Sequence, residues 1–131
     1  MKKFIVLLCI AIFISAVLAY AADDKKPELR PAQKIMQARA ASLTAMNKNL
    51  DAKNFKAIIK DADQMAAEAV KTAGKTDNPL AKEITLAAAA LAKDTSKAAA
   101  KGDAQTVKTK LGEIKAKCGE CHIKIRDKDK N

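Results

Sequence analysis

From Ile35 to Ile125, apolar side chains recur every three or four residues, the period of a helix that buries one face. The first run carries Ile35, Met36, Arg39, Leu43, Met46 and Leu50 on one stripe. It starts behind Pro27 and Pro31, where a missing N–H costs nothing, and Asn47-Lys48-Asn49 is expected to weaken it. A second run, Phe55, Ile58, Ile59, Ala62, Met65, Ala66, Ala69 and Val70, ends at Gly74, a C-cap-like position. The third opens at Asp77-Asn78-Pro79, a capping residue before a first-turn proline. It carries Leu80, Ile84, Ala87, Ala88, Leu91, Thr95 and Ala98 until Gly102. Asp103 can cap the fourth, whose face holds Val107, Leu111, Ile114, Cys118, Cys121, His122 and Ile125. No alternating run calls for a strand. Four amphipathic helices with short connections predict an all-α protein, an antiparallel up-down-up-down four-helix bundle.

The N-terminal stretch has a different pattern. Lys2 and Lys3 precede an almost unbroken apolar run from Phe4 to Leu18, and Ala19-Tyr20-Ala21 forms a small-x-small site. Residues 1–21 therefore read as a signal peptide cut after Ala21 or Ala22, leaving residues 22–131 as one domain and placing the protein in the periplasm. The rival reading is a retained anchor, since Phe4 to Ala22 is just long enough to span a bilayer. Cys9 has no small residue before it and does not read as a lipid-attachment site.

Removing Lys2 and Lys3 takes the formal charge from +10 to +8. An exported basic chain is not expected to bind nucleic acid. The lysines suit acidic protein partners or an anionic surface, or serve solubility alone. No stable membrane insertion of the mature chain is expected. Alanine makes up roughly a fifth of that chain, and Phe55 is its only aromatic residue. Small side chains fill little volume, so the helices either pack closely or leave room for a large apolar object.

Candidate chemistry is concentrated in Cys118-Gly119-Glu120-Cys121-His122. Cysteines three apart on a helix share a side, and His122 projects between them. C-x-x-C-H is the c-type haem attachment pattern: two thiols form thioethers and the imidazole ligates the iron. Zinc would need a further ligand, a carboxylate such as Glu120 or water, or an open catalytic position. A redox dithiol would call for a βαβ setting, and a disulfide would leave the histidine unexplained.

An Ala-rich four-helix bundle with C-x-x-C-H near its C-terminus resembles the class II c-type cytochromes, the cytochromes c′ and their low-spin relatives. The resemblance extends over the whole mature chain. It implies one covalent haem c on Cys118 and Cys121, with His122 as proximal iron ligand. The family's H-x-x-aromatic-basic continuation reads His122-Ile123-Lys124-Ile125-Arg126, with Ile125 in the aromatic place. The matching basic residue, Arg126, is accordingly expected beside the haem. The family's R-Q-x-x-M pattern is met by Ala32-Gln33-Lys34-Ile35-Met36, without the arginine. In low-spin members the methionine at Met36's position is the sixth ligand, whereas cytochromes c′ leave that place without one.

His122 is the sole histidine, so two histidines from one chain cannot ligate one iron. Met46 points about 80° away from Met36 at 100° per residue. Met46 and Met65 read as core fillers. With Met36 ligating, the protein is an electron carrier and not an enzyme. Without it, the protein is a five-coordinate binder of nitric oxide or carbon monoxide. Lys115, Lys117, Lys124, Arg126, Lys128 and Lys130 could steer an acidic redox partner, or simply suit the end of a helix. A homodimer is compatible with the resemblance.

Overall fold

The computed structural model describes residues 28–126, so the expected signal peptide, Lys128 and Lys130 lie outside the described residues. The chain divides into two compact units, Met1–Ala32 and Gln33–Asn131. Of the first, residues 28–32 are described, the last two opening a helix; the second holds the other described residues, 33–126.

The described residues form four α-helices and no strand: α1 (Pro31–Asp51), α2 (Phe55–Ala73), α3 (Pro79–Ala100) and α4 (Ala104–Cys121). A π-helical turn, His122–Arg126, adjoins the end of α4. The helix starts are written locally. The side-chain oxygens of Asn54, Asn78 and Asp103 accept from the N–H groups of Ala57 (3.2 Å), Ala81 (3.1 Å) and Thr106 (3.0 Å). Each satisfies a donor that the first turn leaves open. Pro79 sits in the first turn of α3 as its fixed φ allows. Gly74 succeeds α2 with right-handed backbone, while the turn into α4 needs Gly102 at φ +68°. Asn47-Lys48-Asn49 does not weaken α1, which runs on to Asp51.

The core draws on all four helices: Met46 from α1; Ile58, Ala62, Met65 and Ala66 from α2; Ala92, Ala98 and Ala99 from α3; Val107, Leu111 and Ile114 from α4. Thr95 is also wholly buried, and its hydroxyl donates to the Leu91 carbonyl (2.8 Å). The backbones of α2 and α3, and of α3 and α4, approach closely. Buried alanines on α2 and α3 make this approach possible, so much of the alanine serves close helix packing.

Two details depart from the sequence pattern. Val70 is 50% exposed, because it lies one residue, about 100°, round α2 from buried Ala69. On α3 the buried arc turns toward Thr85, Ala89, Ala92 and Ala99, leaving Ala87, Ala88 and Leu91 half-buried. That helix packs against α2 and α4 together, and its smallest residues face the tightest space.

Helix α1 is uneven. Its second half contributes Leu43, Met46 and Leu50 to the core, but every side chain from Gln33 to Ala38 is exposed.

Candidate functional site

The inner stripe of α4 opens toward its end. Val107, Leu111 and Ile114 are buried, and then Cys118, Cys121, His122 and Ile125 are half-buried. Cys118 packs against the border of the core. Both thiols are free. After Cys121 the helix widens to π-helical pitch, with the His122 N–H directed at the Cys118 and Gly119 carbonyls. Such widenings often accompany functional positions.

Glu120 lies on the opposite side of α4 from Cys118. It accepts from Lys117 Nζ and from Lys124 Nζ, each at 2.7 Å, and so ties α4 to the π-helical turn. These two hydrogen bonds, from Lys117 first, draw its carboxyl down from the ordinary 4.5 to about 2. Glu120 is thereby engaged by two lysines, and its negative charge also reaches the Cys121 thiol. Among the described residues, no three His, Cys, Asp or Glu side chains gather where they could hold one metal ion.

Burial pushes the Cys118 thiol up, and the Arg39 guanidinium on α1 opposes it; at Cys121 burial again pushes up most, Arg39 opposes it, and the Glu120 carboxylate adds to the rise. A reactive dithiol requires a thiol drawn down toward neutrality, whereas here burial outweighs the cation at both cysteines. Arg39 itself borders a groove of about 300 Å³ between α1 and α2, lined also by Ala41, Asp61, Met65 and Glu68. Its Nε and Nη2 are buried and have no hydrogen-bond partner among the described residues.

Of the expected thioethers, Met46 is fully enclosed and Met65 is 5% exposed, both within the core, as fillers should be. Met36 stands 36% exposed on the uncovered half of α1, one turn before Arg39, with Ile35 beside it at the same exposure. Arg126 closes the π-helical turn. Lys115 is exposed, whereas Lys117 and Lys124 both pair with Glu120, leaving that trio a net charge of +1.

Arg39 is the residue that sequence reasoning passed over. Its signal was present: a charged residue on the stripe of Met36, Leu43, Met46 and Leu50.

The chain matches no protein-family model, no curated protein and no solved structure.

Proposed function

We propose that the protein is a monohaem c-type cytochrome of the class II kind that carries electrons in the periplasm, made with a cleavable signal peptide. The observation that carries this reading is the pair of free, half-buried thiols of Cys118 and Cys121 on α4, the first packed against the core, with His122 immediately after them. Ligands for a bare metal ion must converge on a single point, whereas haem attachment spreads two thioethers around a ring and reserves the imidazole for its centre.

In this reading Cys118 and Cys121 would hold the haem covalently, and His122 and Met36 would ligate its iron. The haem, when bound, supplies a one-electron couple whose potential a thioether raises. The chain's own residues do the rest. The core behind Cys118 keeps water from one side, and Glu120 fixes the end of α4 so that His122 keeps its place. Apolar Ile35 and Met36 form a surface suited to cover by an apolar ring.

The bundle in this reading is up-down-up-down and antiparallel. Support comes from Phe55, at the start of α2, whose Cε2 lies 4.0 Å from where a Cβ on Gly102 would sit, just past α3. It comes also from α3 against α4: Lys110 is held protonated first by Glu113 and also by Asp94, and Lys124 first by Glu120 and also by Glu83. Among the described residues no helix is long and apolar enough to cross a membrane. An acidic redox partner would meet Lys115 and the Lys117–Glu120–Lys124 trio.

The second reading rests on the exposure of Met36. A thioether that does not close on the iron leaves it five-coordinate and open to nitric oxide or carbon monoxide. One experiment tests both readings: matured with haem in a periplasm, the chain is examined by mass and absorption. Haem that survives denaturation, with a low-spin spectrum lost in Met36→Ala, is expected. A high-spin spectrum that shifts with carbon monoxide supports the second reading. A chain that gains no covalent haem overturns both.

A further inference from the structure

Burying a guanidinium is costly, because it does not lose its proton and its N–H groups give up water. Arg39 buries Nε and Nη2 with no hydrogen-bond partner among the described residues. Two acids border its groove, Asp61 and Glu68 on α2, yet neither forms an ion pair with it, and Glu68 accepts from Gln64 Nε2 instead (2.9 Å). From α4, the groups that Arg39 influences are the thiols of Cys118 and Cys121. A forked donor one turn from Met36 thus has two buried N–H groups without an acceptor, and its charge reaches the attachment cysteines. Planar two-point donation is what guanidinium offers a carboxylate.

We propose that Arg39 is the anchor for a propionate carboxylate of the tetrapyrrole attached at Cys118 and Cys121. The assignment rests on the haem reading above. It gives a reason for a charge on the inner stripe of α1: Nε and Nη2 lack an acceptor in the haem-free chain and gain one once the haem is attached. It also predicts a propionate held ionised where a free one would titrate.

Two measurements on the full chain test this. The first is thermal unfolding with and without haem for wild type, Arg39→Met and Arg39→Lys. Arg39→Met is expected to raise the melting point of the haem-free chain, by removing two buried N–H groups that lack an acceptor, and to lower that of the haem-bearing chain. Arg39→Lys, which keeps the charge but loses the fork, is expected to fall between wild type and Arg39→Met in the haem-bearing chain. Shifts of the same sign in both forms overturn the assignment.

The second measurement decides even if the haem-free chain gives no cooperative melt. The midpoint potential is tracked with pH over about pH 5 to 8, where an unpaired propionate linked to the iron would titrate. It is expected to be flat in wild type and sloped in Arg39→Met. Cys118 and Cys121 cannot contribute once they are thioethers, and Glu120, with its carboxyl at about 2, stays ionised throughout. Asp61→Asn and Glu68→Gln are expected to leave the profile flat. Identical profiles in wild type and Arg39→Met overturn the proposal. A slope already present in wild type does so too, since the propionate would then titrate unpaired. Haem attached but insensitive to Arg39 removes this assignment alone, whereas a chain that takes no haem removes the functional reading as well.

Discussion

The guanidinium of Arg39 on α1 acts on the thiol of Cys118 on α4, countering part of the burial that pushes this thiol up. Residues far apart in the chain thus influence one another at the motif, and their relationship can be tested without haem. Removing the cation should leave burial less opposed and the thiolate scarcer. In the haem-free chain, Arg39→Met should slow alkylation of Cys118 and Cys121 by about twofold or more at mildly alkaline pH. Unchanged rates at both cysteines would remove Arg39 from their surroundings.

Glu120 gives a pH prediction whose sign is set by its two lysines. Its folded carboxyl lies at about 2, below the ordinary 4.5. Its contribution to stability is therefore fully present above the unfolded value and is lost as pH falls through about 2. A side-chain carboxyl titration monitored by NMR should find Glu120 still ionised when ordinary glutamates have taken up protons. Glu120→Gln should speed amide exchange from Cys121 to Ile125 at neutral pH.

The methionines should separate by burial. Met46→Ala empties a fully enclosed site and should cost about 2–5 kcal/mol in denaturant unfolding. Met36→Ala removes a side chain that is 36% exposed and should stay within about 0.5 kcal/mol in the haem-free chain. A large loss from Met36→Ala would mean that the first half of α1 is packed after all.

Gly112 lies exposed within α4, and an added Cβ would meet nothing within 4 Å. Gly112→Ala should therefore stabilise the chain by about 1 kcal/mol, from helix propensity alone. A destabilised variant would show that something approaches this face of α4.

What could be read along the chain was what neighbouring residues settle between themselves. Helical period, the Asn78 and Asp103 caps and the Gly102 turn each depend on a few adjacent residues, and each appears where expected. The motif of Cys118, Cys121 and His122 is legible for the same reason, since three residues of one helix share a side at fixed spacing. Asn54 marks the limit of such local rules: its cap is masked in the sequence because Asn47-Lys48-Asn49 points to an earlier end of the helix before it.

Other features depended on neighbours from distant parts of the chain. A helix as rich in alanine as α3 has several equally apolar faces, and only packing on α2 and α4 at once selects the arc through Ala89, Ala92 and Ala99. The π-helical pitch at His122 leaves no mark in residue spacing. The role of Arg39 was hidden most completely, because along the chain it is one charged residue on an apolar stripe. The sequence alone determined the helices and the motif, through local sterics and hydrogen bonding. Only the tertiary structure decided that a guanidinium with two buried, unpartnered N–H groups acts on that motif, because burial and long-range charge depend on what other segments bring.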